Sequence, residues 1–401
     1  MKSQEFLVFI DIEGRTYFVG RLWCYFRNGR ETASFEYDQS WLTNPLRFSL
    51  EPALALSKGK FHTEKSLFGS LGDSAPDRWG RILMRRFEAD RNKTQQQKPH
   101  QLNEIDYLIL VNDKLRQGAL RFKRANGEEF LSSDVKTVPL LTDLSKLLAA
   151  SHHVLENEEI SEELRLLLAP GSSLGGARPK ACVQDSAGNL HIAKFSRKDD
   201  EFSVVLWEAV ALTLAKDAGI VTPQWQVQKD MIIIRRFDRN GQKRVPFLSA
   251  MSMLGASDNE SGHSYLEIAD ALTQYGASPR SDLAELWRRI VFNILISNTD
   301  DHLRNHSFLY EVGMGWKLSP AYDLNPVPYR RNALSLNISE TDSTQSLDLA
   351  LSVAEEFYLT MDEAKTILLE VSGAVKNWKN VAHSLKISNR EIELMENAFD
   401  V

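Results

Sequence analysis

The feature that most constrains this 401-residue chain is a change of hydrophobic period along its length. Early runs alternate or cluster as strands do: residues 6–12, then the turn signal Glu13-Gly14, then 16–22, then 33–37. Beyond about residue 240, the apolar residues recur at the 3.6 spacing of helices, over 265–275, 282–297 and 361–376. Strands first and helices afterwards do not build alternating βαβ units, so the order predicts an α+β fold with two lobes. Between these regions the texture changes near Pro76. A helix is expected there, with Trp79, Ile82, Leu83 and Phe87 on its apolar face and Arg78, Arg81, Arg85, Arg86, Arg91 and Lys93 elsewhere. Those basic residues read as a contact surface for an anion or as a solvated helix face, the second being favoured. Residues 91–99 lack large apolar side chains and read as a loop. A short helix over 103–111, a strand over 119–123 and one or two helices over 141–169 follow. From Gly171 the pattern is strand, turn, strand, helix: 181–184 and 190–195 flank Asp185-Ser-Ala-Gly188, and 201–215 is helical. Two more strands are expected at 224–228 and 231–237. The resulting division is 1–125, β-rich; 126–240, a core with a glycine-rich loop; and 241–401, helical.

Charge narrows the function. Forty-eight Lys and Arg stand against 54 Asp and Glu, a net charge of -6. A protein whose main task is to grip nucleic acid usually carries a basic excess that neutralises phosphates. Cys24 and Cys182 have no metal-ligand spacing and cannot form a disulfide framework, which suits a reducing, cytoplasmic setting. No stretch approaches the ~18 apolar residues of a membrane span.

Three segments carry candidate chemistry. The run from Gly171 to Lys180 (GSSLGGARPK) is the richest in small residues, and glycines let backbone N–H groups approach a phosphate. It fails as a P-loop, because Ala177-Arg178 stands where Lys-Ser/Thr is required. On its own it reads equally as a plain turn. Lys194 then ends a strand, and Glu208 lies 14 residues on, among Val204, Val205, Ala211, Leu212 and Ala215, on the apolar face of a helix. A buried carboxylate needs a partner, and Lys194 is a natural one. The third segment is Ser297-Asn-Thr-Asp-Asp-His-Leu-Arg-Asn-His306, following an apolar helix. Asp300 and Asn305 have the separation of a phosphotransferase catalytic loop, where a carboxylate accepts a hydroxyl proton and an amide oxygen binds Mg²⁺. Asp323, in Leu318-Ser-Pro-Ala-Tyr-Asp323, supplies a second hard oxygen ligand. A zinc site on His302 and His306 lacks the Glu of His-Glu-x-x-His and a third ligand; His306 reads as a hydrogen-bonded structural residue. Ser172 and Ser173 lack a nucleophile elbow.

With Gly-Gly-Ala-Arg-Pro-Lys180, Ile-Ala-Lys-Phe195, Arg-Phe-Asp-Arg239, Asn-Thr-Asp-Asp-His-x-x-Asn305 and Ser-Pro-Ala-Tyr-Asp323 in this order, the chain resembles the HipA-type serine/threonine kinases of bacterial toxin–antitoxin systems. The resemblance covers nearly the whole length, Asp73-Ser-Ala-Pro-Asp-Arg-Trp-Gly80 included, which looks like part of the family's N-terminal subdomain. It implies a two-lobed protein-kinase-like fold that uses ATP and Mg²⁺. It implies Asp300 as catalytic base with His302 beside it, Asn305 and Asp323 as metal ligands, and Lys194 as the phosphate anchor. Glu208 would pair with that lysine. Gly175, Gly176, Ala177 and Lys180 would form the loop over the phosphates. Arg235, Phe237 and Asp238 would lie at the hinge that takes adenine and ribose. Ser173 falls where the family carries an autophosphorylated serine. A phosphate there would add about -1.5 to -2 charges to a loop meant for ATP phosphates. The resemblance further implies a helix-turn-helix antitoxin of HipB type as partner, operator DNA reached only through that partner, and a protein substrate, with aminoacyl-tRNA synthetases among the family's known targets. Thr299 and Leu324-Asn325 depart from the His-Arg-Asp and Asp-Phe-Gly patterns of ordinary protein kinases but fit the HipA pattern. Two other readings are a kinase of a small molecule or lipid headgroup and a non-catalytic antitoxin-binding co-regulator.

Overall fold

A computed structural model of the chain describes residues 2–96, 101–133, 138–156, 167, 176, 178–258, 260–329 and 332–399. They group into two compact units, Met1–Lys198 with Arg235–Leu248, and Asp199–Ile234 with Ser249–Val401.

The first unit opens on a five-stranded antiparallel sheet of β1 (Lys2–Ile12), β2 (Arg15–Arg27), β3 (Arg30–Tyr37), β4 (Lys60–Thr63) and β5 (Leu120–Arg124), ordered β4-β3-β2-β1-β5. Phe6, Val8, Ile10 and Ile12 are all buried, the period-2 face expected of β1. Glu13-Gly14 and Asn28-Gly29 close the first two hairpins as two-residue loops, with Ile12 opposite Arg15 and Arg27 opposite Arg30. All four turn residues have positive φ, from 50° to 82°, the geometry whose twist matches that of the flanking strands. β4 is a four-residue edge strand, alternately exposed and half-buried, and sequence reading does not anticipate it. The expected helix after Pro76 runs Arg78–Thr94, capped by the Asp77 side chain on Gly80 N at 2.8 Å. It therefore extends through the residues read as the start of a loop. Asn92 is buried one turn after Glu88, which accepts from its amide at 3.4 Å and from Arg91 at 2.7 Å. Its basic face is partly neutralised, since Arg81 makes a forked contact with Glu104 and lies over the Tyr107 ring. Later in the same unit β6 (Lys180–Gln184) and β7 (Leu190–Phe195) form the expected hairpin, turned by Asp185, which accepts from Ala187 N and Asn189 N.

The second unit is mostly helical. Helix Val204–Asp217 is buried on nearly every face, with Trp207 packed 6.1 Å from Trp378 and Trp378 stacked on Phe399 at 4.3 Å. Glu391 fixes its start by accepting from Ser203 N and Trp207 Nε1. The two expected strands follow as Trp225–Gln228 and Met231–Arg235, and they pair antiparallel. Helix Tyr265–Tyr275 has a capping box between Ser264 and Glu267. Helix Pro279–Leu295 begins three residues before the apolar periodicity does, because Pro279 can occupy the first turn. Its Trp287 donates to Ala350 O, and a hairpin, Ser307–Glu311 with Gly315–Leu318, lies beyond it. Helix Met361–Val375 matches its expected span to within a residue.

No helix among the described residues is long and apolar enough to cross a membrane. Both cysteines are buried, and burial pushes the Cys24 thiol up to about 12. Burial also raises Cys182, although Arg236 lies 3.7 Å from its sulfur. The thiolate is the nucleophile, so neither thiol is expected to react with iodoacetamide at pH 8 in folded protein. Both should alkylate once the chain is unfolded in guanidinium, and intact-mass measurement distinguishes zero adducts from two.

Candidate active site

The segment after helix Pro279–Leu295 is held rigidly, although only short bits of it are regular. Ser297 turns the chain with a left-handed φ of 49°. Asn298 then points back: its N bonds Asn293 O at 2.9 Å, and its side-chain amide donates to Asn293 Oδ1 at 3.0 Å. Its Oδ1 accepts from Asn325 N at 3.3 Å, which ties the Asp323 segment to this loop. Ser297 O accepts from Val327 N, and Thr299 O accepts from both Ser335 N and Ser335 Oγ. Such backbone anchoring is the condition for presenting side chains at fixed separations.

Asp300 and Asp301 have opposite fates. Asp300 is exposed. Asp301 is 2% exposed, and its Oδ2 accepts from Tyr265 Oη at 2.6 Å, Asn293 Nδ2 at 2.9 Å and His306 Nε2 at 2.7 Å. Burial opposes ionisation of Asp301, yet the adjacent His306 and the hydrogen bonds from His306 and Tyr265 hold its carboxyl below the usual range. Of the adjacent carboxylates, only Asp300 faces outward. Asn305 follows at the end of a single 3-10 turn, its N bonded to His302 O at 2.8 Å and its Nδ2 directed at Asp300 O at 3.3 Å. The other end of that amide, Oδ1, is buried with no hydrogen-bond partner among the described residues, as is His302 Nδ1. An orphaned buried amide oxygen is costly unless a ligand satisfies it. Asp323 sits at a left-handed φ of 59°, with Asn325 Nδ2 donating to its backbone O and its Oδ1 at 3.1 and 3.2 Å. The oxygen chemistry of Asn305 and Asp323 fits a hard cation such as Mg²⁺. His306, as expected from its position, is a structural residue committed to Asp301.

The other candidate residues divide between the units. Glu208 is buried in the second, on the helix Val204–Asp217. Lys180, Lys194, Arg235, Phe237 and Asp238 belong to the first. Lys180 and Lys194 are directly opposite on β6 and β7. Two ammonium groups paired across strands repel each other, and Lys180 Nζ is offset by Asp77 Oδ2 at 2.8 Å, both nearly buried. Trp79 Nε1 also donates to Lys180 O at 2.9 Å, so the Asp77-Arg-Trp motif clamps the start of β6. Lys180 Nζ reaches Gly176 O at 3.4 Å, and Gly176 has a φ of 90° that side chains avoid. Ser172, Ser173, Gly175 and Ala177 lie outside the described residues.

At the expected hinge, Arg235 donates to Asn189 Oδ1 at 3.3 Å and Phe237 is half-buried. Asp238 follows in the same segment. It is 1% exposed, and its carboxylate accepts from Arg236 Nε at 2.9 Å and Nη2 at 2.6 Å, Arg239 Nη1 at 2.8 Å and Gly118 N at 2.8 Å. With four donors on two oxygens it is the hub of an ion cluster. Arg236 and Arg239 extend the cluster to the carbonyls of Leu115 and Arg116, and Arg244 to Asp113. Sequence reasoning misses this cluster and the Asp301 network because their members lie far apart in the chain; the Asp-Asp doublet and the arginines of 235–244 are the only local signals.

The family model of the HipA-like C-terminal domain matches residues 172–378, more than half of the chain. A Haemophilus influenzae protein named "Putative kinase" is 35% identical over 108 residues, 24% of this chain and 31% of that protein. The Sinorhizobium fredii "Putative kinase Y4dM" is 32% identical over 160 residues, 35% of this chain and 39% of that protein. The chain thus spans about a third of the length of these curated relatives. Among solved structures, HipA of Shewanella oneidensis MR-1, determined with HipB and operator DNA, superposes with a TM-score of 0.64 at 16% identity, covering 99% of this chain and 95% of that one. That likeness extends the shared fold over the whole chain.

Proposed function

The chain belongs to the HipA-like family, and we propose that it is an ATP- and Mg²⁺-dependent serine/threonine protein kinase, the toxin of a toxin–antitoxin pair. The observation that carries the reading is the contrast between an outward-facing Asp300 and, five residues on, a buried Asn305 whose Oδ1 is unsatisfied. In this reading Asp300 accepts the proton of a substrate hydroxyl as that oxygen attacks the γ-phosphorus. The bond from phosphorus to the β,γ-bridging oxygen breaks, and ADP leaves. Asn305 and Asp323 would hold Mg²⁺, which, when bound, supplies neutralisation of the charge on the transferring phosphoryl group. Lys194 anchors the nucleotide phosphates, and Gly176 and Lys180 belong to the loop that covers them. The hinge around Arg235, Phe237 and Asp238 takes adenine and ribose. Ser173 is the autophosphorylation site. The structural relative crystallised with HipB and operator DNA supports a small helix-turn-helix antitoxin as partner, with DNA contacted through it. The acidic net charge accords with that division of labour.

The reading is tested by incubating the protein with γ-labelled ATP and cell lysate. Label should appear in protein, and intact-mass and peptide measurements should place one phosphate on Ser173. Label confined to small solutes would replace this reading with a small-molecule kinase, and no label at all would favour a non-catalytic co-regulator. A second expectation concerns the metal ligands. Asp323→Asn keeps a residue type that tolerates the left-handed backbone at this position but removes the carboxylate charge. Calorimetry should show Mg-ATP binding falling below detection in that variant, and wild-type affinity would remove Asp323 from the site.

A further inference from the structure

The catalytic-loop doublet contains a second carboxylate that phosphoryl transfer does not use. Three polar groups from three places converge on one oxygen of Asp301: Tyr265 from the start of helix Tyr265–Tyr275, Asn293 from helix Pro279–Leu295, and His306 from the end of the loop itself. We propose that Asp301 is a positioning residue, whose buried carboxylate ties both ends of the 300–306 loop to the helices and so sets Asp300 and Asn305 at their working separation.

The geometry supports this in three ways. Asp301 is the immediate neighbour of Asp300, and His306 is the immediate neighbour of Asn305. The Asp301–His306 bond therefore closes the loop beside both functional side chains. The donor assignments are also determined. Tyr265 Oη can give its single proton to the carboxylate, Asn293 donates through Nδ2, and His306 must carry a proton on Nε2. His306 Nδ1 is buried with no partner among the described residues. Finally, the imidazole is fixed independently of its hydrogen bond. Its ring meets Tyr265 edge-on at 5.7 Å and 88°, and His306 O accepts from Ala250 N at 2.8 Å. Hydrogen bonds to a buried charge are roughly twice as strong as neutral ones, so one carboxylate can hold three elements together.

Asp301→Asn is nearly isosteric but places a neutral amide opposite three donors. Either the amide's own N–H₂ meets a donor, or Tyr265 and His306 must turn. The loop then samples more than one arrangement, and misplacement by about 1 Å can cost on the order of 10²-fold in rate.

This inference rests on the kinase reading for its activity arm alone. The activity arm predicts that Asp301→Asn lowers kcat by about 10–100-fold with the KM for ATP within about 3-fold of wild type. A residue needed only for folding would not produce that split. The second arm needs no activity. Hydrogen exchange on the protein alone should show the Asn305 amide, bonded to His302 O, exchanging at least ~10-fold faster in the variant, with the core of helix Pro279–Leu295 still protected. Should Asp301→Asn fail to fold, His306→Leu and His306→Gln take its place. Gln keeps a donor within reach of Asp301, and the Leu variant should lose more turnover and more Asn305 protection than the Gln variant. A folded Asp301→Asn protein with wild-type kcat and unchanged Asn305 exchange overturns the proposal, as do equal losses in the two His306 variants. A wild-type protein that transfers no phosphate overturns the kinase reading, and the exchange arm then decides the loop's anchoring alone.

Discussion

Asp300→Asn should lower the rate of phosphoryl transfer by about 10²–10⁴-fold, the usual scale for loss of a general acid/base. That range corresponds to about 3–5 kcal/mol of transition-state stabilisation. The substitution keeps size and polarity but removes the basic oxygen that would take the substrate's proton. Because Asp300 is exposed and the loop is held through backbone atoms and through Asp301, the variant should fold and melt as wild type does. The neighbouring carboxylate cannot stand in, since Asp301 is buried and already accepts three hydrogen bonds on one oxygen. Initial rates with labelled ATP decide the matter. Turnover within about 3-fold of wild type would take the general-base role away from Asp300.

Asp238→Ala should be the most destabilising single change in the first unit, by about 3–5 kcal/mol, because it leaves buried arginines without their counter-charge. Arg236 and Arg239 each lose a charged partner and Gly118 N loses its acceptor. At about 2–4 °C per kcal/mol for a unit of this size, calorimetry should find its melting lowered by about 6–20 °C. A shift under about 2 °C would show that the cluster does not hold the unit together. The same group sets an acid limit. Burial opposes its ionisation, but Arg236 and Arg239 hold the Asp238 carboxyl well below the ordinary range. Since the folded value lies below the unfolded one of about 3.9, its contribution is complete above roughly pH 4. It is lost as pH falls through the folded value. Asp238→Ala should accordingly flatten the loss of stability below about pH 4.

Local elements were legible wherever the determining interactions are local. The Glu13-Gly14 turn, the Asp185 hairpin, and the helices at 265–275 and 361–375 depend on turn chemistry, caps and periodicity carried within a few residues. The family motifs were legible for a related reason. Asp300, Asn305 and Asp323 sit in short polar segments whose spacing alone suggests their chemistry. Hydrophobic period thus pointed to the α+β class, and the resemblance of the ordered motifs pointed to the family and to the residues proposed as metal ligands and base. Tertiary structure decided which of two adjacent aspartates faces outward, because that depends on Tyr265 and Asn293, 36 and 8 residues away from Asp301. It made Asp238 the hub of an ion cluster because Gly118 and the carbonyls of 115 and 116 arrive from more than a hundred residues away. It also extended helix Arg78–Thr94 past the expected break, because burial of Asn92 beside Glu88 outweighs its polar local sequence. A carboxylate's role is set by the donors that reach it, and in a folded chain most of those donors come from elsewhere.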